Sequence, residues 1–310
     1  KLKERMPNLI GGSADLAPSN KTNLRDAGDF SKADYAGRNM HFGVRELAMT
    51  AIGNGMLLHG GLRTYVSTFF VFSDYTKPMA RLSALMGVPL TFVFTHDSIG
   101  VGEDGPTHQP IEHEAQIRLM EHLRNHAGQR SMVVLRPADG EETIAAWRLA
   151  LEEKRPVALV LSRQNIQNLP ALAASRREEA AQLTKGAYIV ADAAKPDVVM
   201  VASGSEVATL VEGAALLAEE GIKARIVSVP SEGLFRDQPQ SYQESVLPAG
   251  IVRYGMTSGL PVTLLGLVGE KGFIHGHDMF GFSAPYTVLD KEFGYNGQTV
   301  AAEVKKLLNR

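Results

Sequence analysis

The sequence predicts an α/β protein of two consecutive domains, each with a largely parallel sheet flanked by helices, and three observations carry that expectation. A chain of 310 residues with 44% hydrophobic and 21% charged residues has an ordinary globular composition and the length for two cores. Its first half alternates helix-period stretches with short apolar runs. Residues 197–206, 207–220 and 224–229 read as strand, helix and strand, with Gly221 after the helix, which is a βαβ unit.

Apolar side chains recur at helical spacing over residues 44–58, and a second helix is expected over 69–86. The strand 89–95 (PLTFVFT) leads into the polar, glycine-rich run 96–110, followed by a charged helix expected over 111–128. Strands are expected at 132–135 and 157–161, with a helix over 141–151 between them. Residues 165–185 are polar and Ala-rich, so the expected division is a domain over 1–170, a linker over 171–185 and a second α/β domain over 186–310.

The charge balance, 32 Lys and Arg against 34 Asp and Glu, gives no electrostatic footprint for nucleic acid or an anionic membrane, so an anionic ligand must be met by a local constellation. With no cysteine there is no thiol nucleophile, disulfide or thiolate metal site, which fits a reducing, cytoplasmic setting. No segment reaches the roughly 18 apolar residues of a membrane span. The start, KLKERMP, has neither an initiator Met nor an apolar signal core and reads as a chain entered partway through.

In open α/β sheets ligands gather at the carboxyl ends of strands, which directs attention to residues 96–110. Residues 100–105 (GVGEDG) match the glycine spacing of a dinucleotide-binding turn, but Pro106 and Pro110 disrupt the helix that should open at the third glycine. His96, Asp97, Glu103, Asp104 and His108 supply imidazoles and carboxylates for proton transfer, although surface loops are polar by default. Glu46 at a helix start also complements the helix dipole. Phe69, Phe72 and Tyr75 at helical spacing read by themselves as core rather than as a cofactor platform. Arg163 at a strand end can fork onto a phosphate or form a salt bridge. The turn 203–206 (SGSE) offers free N–H groups, but the Glu206 carboxylate would repel an anion there.

Taken together, residues 11–20 (GGSADLAPSN), 41–46 (HFGVRE), 67–72 (STFFVF), 95–110 (THDSIGVGEDGPTHQP), 136–139 (RPAD) and 161–165 (LSRQN) resemble, in order and wording, the signature segments of the transketolase family. The resemblance implies a thiamine-diphosphate-binding fold, the pyrimidine-binding domain, followed by a transketolase C-terminal-like domain. It implies that Glu46 activates the cofactor's aminopyrimidine, with Phe69, Phe72 and Tyr75 as the pocket around that ring and Asp15 near the cofactor. It implies that Asp104 and His108 act at the sugar hydroxyls and reaction centre, and that Ser19, His96 and Arg163 hold the substrate phosphate. A buried carboxyl facing the pyrimidine can share its proton with that ring, and His108 is typed for proton shuttling while a two-carbon fragment passes from a ketose phosphate to an aldose phosphate.

The family's Gly-Asp-Gly metal segment is missing, since Gly28-Asp29 is followed by Phe30. The resemblance therefore implies a diphosphate-binding domain outside this chain, with Mg²⁺ or Ca²⁺ held there, no metal held here, a homodimeric assembly, and a chain that is catalytically silent alone. Two other readings stay open: a deoxyxylulose-phosphate synthase or 2-oxo-acid dehydrogenase β subunit with the same domain pair, and a noncatalytic assembly module that keeps the fold.

Overall fold

The computed structural model describes residues 2–173 and 175–309. Six strands form the first sheet: β1 (Leu9–Ser13), β2 (Asn39–His41), β3 (Arg63–Phe69), β4 (Thr91–Thr95), β5 (Val133–Leu135) and β6 (Val157–Leu161), in the order β2-β1-β3-β4-β6-β5 with every pairing parallel. The second sheet contains β7 (Tyr188–Ala191), β8 (Val198–Ala202), β9 (Ala224–Ser228), β10 (Val252–Met256) and β11 (Phe273–His275), in the order β11-β10-β8-β9-β7. Only the edge strand β7 runs antiparallel to its neighbour.

Parallel sheets need cover on both faces, and the central strands provide for it. In β4, Phe92 and Phe94 pack with Met49, Phe70 and Met132 on one face, while Val93 packs with Ala146 and Ala150 on the other. In β8, Val198, Met200 and Ala202 meet Leu210, Val300 and Val304, whereas Val199 and Val201 meet Phe235, Leu264 and Leu267. Each sheet is therefore sandwiched by helices.

Several expectations hold closely: the helices Glu46–His59, Gly140–Glu152 and Glu206–Glu219 and the strands β4, β5, β6, β8 and β9 all lie where the sequence placed them. The helix expected over 69–86 is shorter at its start. Phe69 ends β3, a 3₁₀ turn spans Phe70–Phe72, and the α-helix is Ser73–Met86. Strand β3 is buried along nearly its whole length, so it lacks the alternation that marks a half-exposed strand. The helix expected over 111–128 is likewise shorter, His113–His122. Beyond it the Asn125 side chain accepts from the backbone N–H groups of Ala127 and Gln129, and Arg124 bridges Arg130, so local side-chain bonding competes with the helix.

The stretch expected as a linker includes regular structure among its described residues. It holds the short helix Arg176–Ala180, capped by Ser175, and its buried Arg176 donates to Asp139 at 2.7 Å and Glu142 at 3.1 Å. Asp139 also caps the helix Gly140–Glu152 through the N–H of Glu142. The connection is thus pinned to the first sheet's flank by charge-assisted bonds.

A buried seam ties the two units together. Arg136, 1% exposed just after β5, donates to Asp97 at 2.9 Å on its own side and to the Ser203 carbonyl at 2.9 Å, Ser258 at 3.0 Å and Glu206 on the other. Burial opposes its charge, but Glu206, Asp97 and Glu114 outweigh that and keep the guanidinium firmly protonated. Glu206, read from sequence as an obstacle to anion binding, is thus a partner of Arg136. No helix among the described residues is long and apolar enough to cross a membrane.

Candidate active site

The first sheet sends the chain from β1 to β2 on one side and then to β3 on the other, which leaves a crevice at the carboxyl ends where the winding reverses. Asp15 and Ser19 follow β1, Glu46 follows β2, Phe69 ends β3, His96 follows β4 and Arg163 follows β6. Every site position inferred on these strands therefore lies at one edge of the sheet.

Five rings cluster there. Phe69 stacks on His96 with centroids 3.6 Å apart and lies parallel to Phe72 at 6.0 Å with planes 8° apart. His108 meets Phe72 edge-on at 5.5 Å and Phe69 at 6.1 Å, and Tyr75 flanks Phe72 at 6.2 Å. The aromatic spacing does not form one helical stripe, because its three members sit on a strand end, a 3₁₀ turn and an α-helix. Phe69 is buried, Phe72 half-buried and Tyr75 61% exposed, so the platform opens outward.

Charge converges on the same place. Burial and, next, the Arg163 guanidinium push the His96 imidazole down to about 4, with Asp104 opposing and His108 adding to the effect. Arg163 and Asp104 are exposed and His108 half-buried. The Thr107 hydroxyl lies 2.8 Å from His108 Nδ1 and orients that ring. The 96–110 loop holds its shape through Gln109, whose amide donates to the carbonyls of Ile99, Gly102 and, across in the second unit, Phe282 at 3.0 Å. Gly102 and Gly105 have φ of 84° and 73°, and the following helix starts only at His113, so this loop does not present a helix N-terminus at its third glycine.

Glu46 is the first residue of the helix Glu46–His59 and is 7% exposed, yet its carboxylate has no hydrogen-bond or ion-pair partner among the described residues. Glu46 and Asp15 make no bond to the ring cluster; Asp15 is exposed with φ 64°. Ser19 is exposed, but its neighbour Asn20 is buried and bonded to Thr95, directly before His96. Sequence reasoning quoted Asn20 and Thr95 without giving them a role; the available signal was a Thr closing an apolar strand next to a histidine. One further cluster, Asp74, Glu112 and His113, brings a ligand atom from each within 4.8 Å, with His113 Nε2 3.3 Å from Asp74 and Nδ1 3.6 Å from Glu112.

Residues 1–168 match the transketolase pyrimidine-binding domain and residues 186–296 the transketolase-like C-terminal domain. The chain is 47% identical over 313 aligned residues to a transketolase of Bacillus subtilis, covering all of this chain and 45% of that protein. It is 49% identical over 306 to one of Halalkalibacterium halodurans, covering 98% and 44%. Among solved structures, a Pichia stipitis transketolase in complex with sedoheptulose 7-phosphate superimposes with TM-score 0.90 at 39% identity over all of this chain and 44% of that one. A split-gene transketolase shares the fold at TM-score 0.74 and 24% identity, with 99% of this chain and 94% of that one aligned. The chain spans about 45% of the length of the curated relatives it matches. With both domain types matched in order on this two-sheet fold, the chain belongs to the transketolase family.

Proposed function

We propose that this chain is the pyrimidine-activating and sugar-phosphate-holding part of a thiamine-diphosphate enzyme that moves a two-carbon ketol unit from a ketose phosphate to an aldose phosphate. The observation that carries the reading is Glu46, a residue only 7% exposed whose carboxylate has no partner among the described residues. A carboxylate set in a crevice with no protein partner is available to bond an outside group, as a pyrimidine nitrogen does. The parallel Phe69 and Phe72 rings fit a flat heterocycle, and the residues present therefore suit the cofactor.

When bound, thiamine diphosphate supplies the electron sink for carbon–carbon cleavage. The chain's own residues do the rest. Glu46 holds a proton at the pyrimidine nitrogen, and Phe69, Phe72 and Tyr75 stack and exclude water. His108 moves a proton at the substrate hydroxyl nearest the reacting carbon, while Asp104 accepts a hydrogen bond from a hydroxyl and so selects its configuration. Arg163, with Ser19 and His96, anchors the phosphate and fixes the carbonyl's distance from the reaction centre. Asp15 lies near the cofactor and the subunit junction in this reading.

The same reading divides the chain at residues 171–185, takes the diphosphate and its Mg²⁺ or Ca²⁺ to be held by a complementary domain, and places the assembly in the cytoplasm as a homodimer. Alone, the chain is expected to show no ketol transfer; measurable turnover by the purified chain would sink that part. With a diphosphate-binding half supplied, Glu46→Gln is expected to lower ketol transfer by about 10²- to 10⁴-fold, the usual range for losing a positioned proton-transfer group. Unchanged turnover in that variant would favour an assembly module, and use of pyruvate in place of ketose phosphate would favour the other thiamine-dependent families.

A further inference from the structure

A run of hydrogen bonds lies beneath the open face, and one end fixes its direction. The Ser67 carbonyl oxygen can only accept, so the Ser13 hydroxyl, 3.0 Å away, donates to it. The Ser13 oxygen then accepts from the Asn20 amide nitrogen at 2.8 Å. This turns the Asn20 carbonyl oxygen toward Thr95, whose hydroxyl donates to it at 2.5 Å. A hydroxyl has one proton. With that proton committed to Asn20, the Thr95 oxygen, 2.9 Å from His96 Nδ1, has to accept from the ring. The reversed run would set the Ser13 and Ser67 oxygens 3.0 Å apart with no proton between them.

We propose that Asn20 is a positioning residue that, through Thr95, holds His96 as its Nδ1–H tautomer, so that Nε2 faces the ligand as a hydrogen-bond acceptor. Ser13, Asn20, Thr95 and His96 are between 1% and 6% exposed, which keeps water from competing for these bonds. No described residue hydrogen-bonds Nε2, and stacking on Phe69 at 3.6 Å fixes the ring plane. His96 also has φ 63°, a left-handed conformation that is costly for a side chain of this size and is held by its surroundings. The groups that act on the ring electrostatically are Arg163, Asp104 and His108; burial, Arg163 and His108 outweigh Asp104 and keep it neutral near pH 7.

The consequence for the ligand rests on the proposed function. A phosphate oxygen opposite an unprotonated Nε2 has to carry a proton or be bound with uptake of one, so Arg163 supplies the positive charge and His96 selects the protonation state.

The test is long-range ¹H–¹⁵N correlation on the full 310-residue chain with ¹⁵N-labelled histidine near pH 7.5, the His96 signals being assigned by their loss in His96→Gln. The expected pattern is a protonated Nδ1 and a bare Nε2; an Nε2–H ring or a doubly protonated ring overturns the proposal. Asn20→Leu removes the acceptor, frees the Thr95 proton for Nδ1 and is expected to move the pattern to Nε2–H. Asn20→Asp keeps an acceptor and is expected to retain Nδ1–H. An unchanged pattern in a folded Asn20→Leu chain overturns the role of Asn20, and Thr95→Val carries the same prediction should that variant not fold. Titration with inorganic phosphate is a separate readout: silence there counts against the ligand reading and leaves the tautomer standing.

Discussion

The aromatic and histidine face at the ends of β3 and β4 and the arginine seam between the two sheets both gather ionisable side chains, but they leave them in opposite states. In the seam Arg136 meets Asp97, Glu206, Ser203 and Ser258, and each partner is itself buried. On the face, Asp104 and Arg163 are exposed, Tyr75 extends outward and the Glu46 carboxylate has no partner among the described residues. A nearly closed set of charges, with Asp97 Oδ1 left without a hydrogen bond, stabilises one arrangement and has little left to offer a ligand. An unfinished set contributes little to folding but is ready to bond something that arrives. That difference, more than residue type, separates a structural cluster from a site here, since the loop 96–110 contributes Asp97 to the first and His96, Asp104 and His108 to the second.

The comparison is most exposed to failure at Arg136. Arg136→Met leaves Asp97 and Glu206 buried without their cation, while Glu114 keeps Arg118, and is expected to cost about 3–5 kcal/mol in urea unfolding. A loss below about 1 kcal/mol would show that the seam is not what holds the units together.

A smaller effect is expected beside the seam, where burial, with the Glu206 and Glu212 carboxylates, pushes Asp290 up to about 7 from 3.8. The folded chain then binds a proton that the unfolded chain has released, so stability declines as pH rises from 3.8 through about 7. Asp290→Asn, which cannot ionise, is expected to be more stable than the parent by about 1–2 kcal/mol near pH 8, discounted for partial solvent screening, and equal to it near pH 4. Equal unfolding curves at both pH values would remove the argument.

The smallest change is expected on the open face. Tyr75→Ala, at a 61% exposed position, is expected to alter unfolding free energy by less than about 0.5 kcal/mol. The same substitution weakens cofactor binding in the completed enzyme if the platform has its proposed role. A large stability loss with unchanged binding would reverse the assignment of that ring.

Much of this was legible in the chain. Short apolar strands with β-branched residues and the glycine-terminated helix before β9 are local signals, and the elements they mark are in place, whereas the Ser175-capped helix lay in the stretch read as a linker. Strand β3 was hidden because it is buried on both faces, and the aromatic triplet beside it imitated a helical repeat. The segment 136–139 was recognisable as a signature, but whether it served chemistry or architecture was not written locally. Arg136 reaches Glu206 across 70 positions, and Asp139 reaches Arg176 across 37.

The sequence by itself determined the α/β class, the order of most elements, the family segments and the residue types able to move protons or hold phosphate. These depend on periodicity, capping and short-range chemistry, which act within a few residues. Only the tertiary structure decided which carboxylates are paired and which are left open, and that Thr95 stands between Asn20 and His96. Those outcomes depend on burial and on partners distant in the chain, where a few ångströms decide whether a charge is satisfied or available.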